Sequence, residues 1–145
     1  MNDCIFCKLA KNEAPSKKVY EDSDVLAFLD INPASKGHTV VITKKHFENI
    51  YDVNENELNK MLGVVKALAS RMKNQLKAEG VNVLQNNGRY AGQLVSHIHF
   101  HVIPRYENDN IFIKFPRMQL SEEEMKDLQN KLKEETSHSS APKWI

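Results

Sequence analysis

Residues 97–104 read His-Ile-His-Phe-His-Val-Ile-Pro, and the histidines at alternate positions make this the most informative stretch of the chain. Side chains of a β-strand alternate between its two faces, so His97, His99 and His101 are predicted to share one face. The apolar residues between them then point to the opposite face and pack in a core. Imidazole changes its charge near neutral pH, so the array fits a metal site or a nucleophile with its partners. Coincidence is disfavoured, because alternate positions on the outer face of a strand usually carry Thr, Lys or Glu.

The residues around this stretch predict an α+β domain with a five-stranded antiparallel sheet, one long helix and a C-terminal helix. Strand-forming residues bounded by turn residues place the other four strands at 17–21, 25–30, 37–43 and 81–85. Short links between successive strands favour antiparallel pairing, with the helices on one side of the sheet.

Two helix starts are marked by capping residues. Asn54 with Glu57 opens a helix predicted to run from about Glu55 to Glu79, with Gly80 as its C-terminal stop. Its apolar residues recur at helical spacing and form one stripe: Leu58, Met61, Leu62, Val65, Leu68, Met72 and Leu76. Ser121 with Glu124 makes a capping box that opens the second helix.

Length and composition set limits on the class of protein. The chain has 145 residues, a length that predicts one domain, here over residues 1–136, followed by a flexible C-terminal tail over residues 137–145. Its net charge is +1. The charge balance does not favour nucleic acid as a partner, and no apolar stretch approaches about 20 residues, so no membrane span is expected. The N-terminus lacks the pattern of a secretory signal, and we therefore expect a cytoplasmic protein.

Several segments together resemble the histidine triad (HIT) superfamily of nucleotide hydrolases and transferases. The resemblance extends from Cys4 to about Arg105 and is closest to the bacterial branch with an N-terminal CxxC. It rests on the triad together with Cys-Ile-Phe-Cys at 4–7, Gly-His-Thr-Val-Val-Ile at 37–42, Asn-Asn-Gly at 86–88 and Ala-Gly-Gln at 91–93. It implies a HIT-like fold and a homodimer formed through the long helix and the adjoining strand.

The resemblance also implies catalytic roles for three histidines. The middle histidine, His99, would attack the α-phosphate of a nucleotide and form a covalent nucleotidyl-histidine that water then cleaves. His101 would donate a hydrogen bond or pass a proton to the leaving group, and His38 would support the triad by fixing a tautomer. The loop entering the strand would hold phosphate oxygens through backbone N–H groups and the Gln93 amide, using Gly92, Gln93 and Val95.

The same resemblance predicts a slot for a purine nucleotide such as an AMP or GMP derivative. The nucleoside would lie against apolar side chains, namely Phe6, Leu9, Phe28 and Ile31. Asp30 would accept bonds from the ribose hydroxyls, and Asn86 would contact the phosphate or the ribose. From the residues alone, Leu9, Phe28 and Ile31 are more simply interpreted as core residues. Asp30 fits a turn as well as a ribose contact, and Asn86 also fits a turn.

Cys4 and Cys7 have the spacing of two zinc ligands, although a single CxxC also fits a pair of free thiols. The resemblance supplies the other two ligands as His46 and His97. A closed Cys2His2 set would hold a structural zinc ion and leave His99 and His101 for chemistry.

Two other functions stay open at this point. The three histidines would serve equally as ligands of a water-activating metal in a metal-dependent hydrolase. A non-catalytic nucleotide-binding scaffold is the other alternative, mildly favoured by Leu94, which stands where many relatives carry serine or threonine. The leaving group, whether a phosphoramidate amine, an acyl group or a second nucleotide of a dinucleoside polyphosphate, is not determined by the sequence.

Overall fold

The computed structural model describes residues 3–133, which fall into two compact units divided between Ile111 and Phe112. The first unit contains the sheet, the long helix and the histidine strand. The second contains the C-terminal helix. The predicted tail at 137–145 lies outside the described residues.

The sheet has five antiparallel strands, as predicted, and their order is β1-β2-β3-β5-β4. The strands are β1 Lys18–Glu21, β2 Val25–Leu29, β3 Thr39–Thr43, β4 Gly80–Gln85 and β5 His99–Arg105. The histidine strand β5 therefore lies between β3 and β4, where both of its edges are paired. A strand paired on both edges presents its side chains in a fixed register.

The histidine strand begins at His99, two residues later than predicted. His97 and Ile98 precede it, and the Ile98 N–H donates to the carbonyl oxygen of Phe47 at 2.7 Å instead of joining the ladder. The predicted alternation holds nevertheless. Ile98, Phe100 and Val102 are buried in a core cluster that also contains residues of the long helix.

The long helix α2 spans Glu55–Gln75, with the Asn54 side chain accepting from the Glu57 N–H at 3.0 Å. It ends earlier than predicted, because Lys77 adopts a left-handed φ of 58° and the Ala78 N–H turns back to the Met72 carbonyl at 3.2 Å. Gly80, predicted as the stop, is instead the first residue of β4. The left-handed cap is made by a lysine, a residue type that sequence reasoning does not expect there.

The buried stripe of α2 differs from the predicted one at three positions. Met61, Val65, Leu68 and Met72 are buried, whereas Leu62 and Leu76 are 43% and 46% exposed. Val64, which the predicted stripe omitted, is buried instead. Where apolar residues are adjacent in a helix, more than one set of them fits the 3-4 spacing. Packing against the sheet then decides which set is buried.

A short helix that the sequence analysis did not predict, α1, spans Ile5–Ala10. Cys4 is its N-cap residue and Cys7 lies within it, so the two thiols are presented by a helical turn rather than by an open loop. In the second unit, α3 spans Glu122–Leu132 and begins with the predicted Ser121–Glu124 capping box. Across residues 3–133, no helix is apolar over a stretch long enough to cross a membrane.

Candidate active site

One cavity of about 630 Å³ opens beside the histidine strand. Ten of the residues predicted to act in catalysis or substrate binding line it: Phe6, Leu9, Phe28, Asp30, Ile31, His38, Gly92, Val95, His99 and His101. They come from α1, β2, the connection between β2 and β3, the loop before β5, and β5 itself. The fold thus brings together apolar side chains, one carboxylate and three imidazoles from distant parts of the chain.

Asn86 and Gln93 are not among the residues that line this cavity. The Gln93 amide nitrogen donates to the Glu48 and Val95 carbonyls at 2.7 and 3.0 Å, and its oxygen accepts from the Gly88 N–H at 2.8 Å. Gln93 therefore holds the shape of the loop, and its amide hydrogens are already used. This differs from the predicted role of the amide as a phosphate ligand.

His99 is buried, with only 5% of its surface exposed, and its tautomer follows from one contact. Its Nδ1 lies 2.7 Å from the carbonyl oxygen of His97, which accepts hydrogen bonds only, so Nδ1 carries the proton. Burial lowers the pKa of His99. The ring is therefore neutral at pH 7, and Nε2 has a free electron pair.

A second chain of contacts orients His101. The Ala34 N–H donates to Nδ1 of His38 at 3.0 Å, so a neutral His38 carries its proton on Nε2. That atom lies 2.9 Å from Nδ1 of His101 and donates to it. His101 must then carry its own proton on Nε2. This relay from Ala34 through His38 leaves His101 with a proton on Nε2, whereas His99 has an electron pair on Nε2 because of its contact with the His97 carbonyl.

Electrostatics keep this arrangement uncharged. Burial, reinforced by the neighbouring His99 and His38 rings, lowers the pKa of His101 to about 4. Burial also lowers the pKa of His38, although Asp30 opposes the effect. Neutral imidazoles at pH 7 suit nucleophilic attack and hydrogen-bond donation.

Asp30 is a turn residue, one of the two roles considered from the sequence, and it also lines the cavity. One carboxylate oxygen, Oδ1, accepts from the Asn32 N–H at 2.8 Å and forms a turn. The other, Oδ2, lies 3.5 Å from His38 Nε2 and 4.0 Å from His101 Nδ1. The carboxylate is thus a turn residue that also lines the cavity beside the relay.

A second cluster joins the N-terminus to the histidine strand. Ligand atoms of Cys4, Cys7, His46 and His97 all lie within 4.8 Å of one another. Nδ1 of His97 is 3.4 Å from Cys4 Sγ and 3.6 Å from Cys7 Sγ, and Nδ1 of His46 is 3.3 Å from Cys7 Sγ. Tetrahedral Zn–S and Zn–N bonds of ordinary length imply sulfur–nitrogen separations of about 3.6 Å, so these residues fit a zinc ion.

The protonation of His97 also suits a ligand. Its Nε2 donates to the Thr43 carbonyl at 2.7 Å, which leaves the Nδ1 electron pair directed at the cysteines. Burial lowers the pKa of His97 to about 4, so the ring is neutral. Burial raises the pKa of Cys7, and the adjacent Cys4 thiol adds to the effect. A divalent cation between the sulfurs would reverse that preference.

Phe6, which lies between the two cysteines, joins the cluster to the cavity. Its ring makes edge contacts with the rings of Phe28, His97 and His99 at centroid distances of 5.7, 5.9 and 5.2 Å. The Phe6 side chain therefore connects the segment that carries the two cysteines to the wall of the cavity.

The three histidines of the triad do not converge as one ligand set within residues 3–133. His97 groups with the cysteines, while His101 groups with Asp30 and His38. This geometry does not support a three-histidine metal centre. The groups that sequence reasoning missed are backbone atoms, namely the Ala34 N–H and the Thr43 and His97 carbonyls, which no side-chain pattern signals.

The antiparallel sheet, the strand of alternating histidines and the adjoining cavity define a histidine triad protein. The chain belongs to the HIT family: the family model described as HIT domain matches residues 11–108. A HIT-like protein of Methanocaldococcus jannaschii, named as uncharacterized, is 52% identical over 112 residues, covering 77% of this chain and 86% of the relative.

Two other relatives bear on chemistry and metal content. A Candida albicans protein named adenosine 5′-monophosphoramidase is 40% identical over 137 residues, covering 91% of this chain and 90% of the relative. A solved structure described as a Zn-bound histidine triad family protein from Mycobacterium smegmatis superposes with a TM-score of 0.73 at 35% identity, covering 89% and 92% of the two chains.

Proposed function

We propose that this protein hydrolyses purine nucleoside monophosphate derivatives at the α-phosphorus, with phosphoramidates and dinucleoside polyphosphates as candidate substrates. The observation that carries the proposal is the tautomer of His99, whose Nδ1 is bound to the His97 carbonyl and whose Nε2 is left as the nucleophilic atom. A family relative named adenosine 5′-monophosphoramidase supports the same reaction class.

The nucleoside would lie in the apolar part of the cavity, against Phe6, Leu9 and Phe28. The Asp30 carboxylate would accept hydrogen bonds from the ribose hydroxyls. The phosphate would then lie between His99 and the backbone N–H groups of Leu94 and Val95, which would balance its charge, since the N–H groups of Gly92 and Gln93 donate to carbonyls within the loop.

In the first step, Nε2 of His99 attacks phosphorus and the bond from phosphorus to the leaving group breaks. For a phosphoramidate, the Nε2 proton of His101 passes to the departing nitrogen, so a neutral amine leaves. His38 keeps His101 in the required tautomer through the 2.9 Å contact.

In the second step, water attacks the phosphorus of the nucleotidyl-histidine. Nε2 of His101, now without its proton, accepts one from the water, and the bond between phosphorus and His99 breaks. The products are a nucleoside monophosphate and the starting form of both histidines.

The decisive experiment is a reaction with adenosine 5′-phosphoramidate, quenched in alkaline denaturant and analysed by mass spectrometry. The expected result is an AMP adduct on the peptide that contains His99. His99→Ala should lose turnover by several powers of ten while still binding AMP in calorimetry. Near-normal turnover by this variant would contradict the proposal.

Three further features belong to the same proposal. Cys4, Cys7, His46 and His97 would hold one structural zinc ion, consistent with the distances in the cluster and with the zinc-bound relative. The protein would act as a homodimer. It would work in the cytoplasm.

A further inference from the structure

The turn before β3 carries the N–H group that orients His38. The Ala34 N–H donates to Nδ1 of His38 at 3.0 Å, and the His38 N–H donates back to the carbonyl oxygen of Ser35 at 3.1 Å. Ala34 is exposed, and the turn borders a second cavity of about 420 Å³. Packing therefore does little to hold Ala34, so the position of its N–H depends on bonds made by neighbouring residues.

Two side-chain hydroxyls tie this turn to the histidine strand. Oγ of Ser35 donates to the carbonyl oxygen of Pro104 at 2.6 Å. The Tyr106 hydroxyl donates to the carbonyl oxygen of Lys36 at 2.7 Å. Pro104 lies in β5, and Tyr106 comes directly after the last residue of that strand. The turn is thereby fixed to the strand that carries His101.

The segment on the other side of Ala34 is held as well. The Asn32 N–H donates to Oδ1 of Asp30 at 2.8 Å, and the ring of Pro33 fixes its own φ at about −65°. Ala34 thus lies between two fixed points of the chain. Ser35 is the side chain that holds the second of these points.

Asp30 also favours the observed tautomer of His38, but from a greater distance. Its Oδ2 lies 3.5 Å from Nε2 of His38, beyond the ordinary N–H···O range of about 2.7–3.2 Å. The contact from the Ala34 N–H is shorter, at 3.0 Å. Because this N–H donates to Nδ1, a neutral His38 must carry its proton on Nε2.

We propose that Ser35 is a positioning residue for the reaction, with Tyr106 as the second tether of the same turn. The two hydroxyls hold the Ala34 N–H against Nδ1 of His38. If this N–H moves away, His38 is free to carry its proton on Nδ1 and to accept from Nδ1 of His101. His101 then has no proton on Nε2 to give to a leaving group. This inference rests on the function proposed above and deepens it, since it assigns the protonation of His101 to two residues outside the lining of the substrate cavity.

The test compares two substrates that differ in their need for this proton. Adenosine 5′-phosphoramidate loses an amine, which must be protonated as it leaves. The p-nitrophenyl ester of AMP loses p-nitrophenolate, a stable anion that departs without a proton. Quench-flow with the enzyme in excess measures how fast each substrate disappears in a single turnover, and so isolates the step in which the adduct forms on His99.

Ser35→Ala removes one tether, and Tyr106→Phe removes the other while keeping the ring that packs on the core. We expect Ser35→Ala to slow the phosphoramidate about 10-fold, as when about a tenth of the molecules keep the competent tautomer. Tyr106→Phe should slow it about 3-fold. The p-nitrophenyl ester should slow by less than about 2-fold in either variant, because its leaving group needs no proton. A general loosening of the fold would slow both substrates alike, so the ratio of the two rates reports the tautomer.

Two further variants and one spectrum complete the test. Ser35→Thr keeps a hydroxyl and should restore the phosphoramidate rate to near that of the wild-type protein. Ser23→Ala is the matched control, because it removes a hydroxyl bonded to Asp24 at 3.1 Å in the turn between β1 and β2, and it should change neither rate. In a heteronuclear NMR spectrum of protein with labelled histidine nitrogens, the proton of His101 should be on Nε2 in the wild type and shift toward Nδ1 in Ser35→Ala.

The outcomes separate the positioning role from the function itself. Equal slowing of both substrates, an unchanged phosphoramidate rate in Ser35→Ala, or an unchanged tautomer of His101 would overturn the role of Ser35 while leaving the hydrolase function intact. If Ser35→Ala does not fold, Tyr106→Phe decides the question by the same ratio of rates. The absence of an adduct on His99 in the wild-type protein with either substrate would overturn both proposals.

Discussion

Nε2 of His38 lies 2.9 Å from Nδ1 of His101, and this contact decides which atom of His101 carries a proton. The direction of donation is set one step earlier, by the Ala34 N–H bound to Nδ1 of His38. A backbone group outside the sheet thereby controls the protonation of a ring at the cavity. The consequence is a neutral His101 with a donor on Nε2.

Removing His38 should damage catalysis without removing the nucleophile. His38→Ala leaves Nδ1 of His101 without its donor, so the ring is free to adopt the other tautomer. We expect kcat to fall by roughly 10- to 100-fold, with KM less affected, in steady-state assays of adenosine 5′-phosphoramidate. The nucleotidyl adduct should still form on His99. An unchanged kcat would show that the relay does not control His101.

The lowered pKa of His101 predicts a loss of stability in acid. The pKa is about 4 in the folded protein and about 6.5 in the unfolded chain, so the unfolded chain binds more protons between these values. The contribution of His101 to the free energy of unfolding is therefore complete above pH 6.5, and it is lost as the pH falls toward 4. His38, His99 and Asp30 are the charged or titrating groups that face this ring.

Urea unfolding at pH 7 and pH 5 measures this effect. Over that range the wild-type protein should lose up to about 2 kcal/mol from His101, since one pKa unit corresponds to about 1.4 kcal/mol. His101→Asn does not titrate and should lose correspondingly less, with zinc in excess in both samples. Equal losses of unfolding free energy in the wild-type protein and in His101→Asn would show that His101 is not the source of the pH dependence.

Zinc should copurify with the protein at one equivalent per chain. Cys4→Ser removes one ligand of the cluster, and metal-binding free energy is also folding free energy. We expect the melting temperature to fall by roughly 10 °C, a drop of 2–3 kcal/mol for a chain of this size. The measurement pairs elemental analysis with thermal unfolding.

The chelator EDTA provides the control for the zinc prediction. It should lower the melting temperature of the wild-type protein and have little further effect on Cys4→Ser. A zinc content far below one equivalent in fully stable protein would contradict the prediction and would indicate that Cys4 and Cys7 are free thiols.

The protein should be a dimer in solution. Leu62 and Val83 are 43% and 44% exposed, and β4 is an edge strand of the sheet. Pairing of two copies would cover these apolar side chains and the open edge. Light scattering at micromolar concentration should give about twice the chain mass of 16.7 kDa, and Leu62→Glu should shift it toward the monomer. A monomeric wild-type mass would contradict this prediction.

The features that the sequence predicted correctly are those with a local physical signal. Alternation identified the histidine strand and its buried face, and Asn54 and Ser121 marked two helix starts because their side chains cap backbone N–H groups. The predicted strand bounds lie close to the observed ones, because turn residues mark the ends of the strands. The cysteines and histidines of the candidate zinc cluster were found from the CxxC spacing and the family resemblance.

The errors occur where local signals compete or where none exists. Leu62 and Val64 are both apolar and near the stripe, and only packing against the sheet buries Val64. The end of α2 depends on a left-handed lysine that no propensity favours. Gln93 is used within its loop because Gly88, Glu48 and Val95 surround it, and their proximity arises from the fold.

The sequence by itself determined the five strands, the starts of two helices, the family and the set of side chains available for chemistry. The tertiary structure alone decided the state of each ring, because His38, His97 and His99 take their tautomers from backbone atoms and His101 takes its tautomer from His38. The Thr43 carbonyl orients His97, and the Ala34 N–H orients His38. Hydrogen bonds depend on direction and on distances of about 3 Å, so only the folded chain specifies which nitrogen holds a proton.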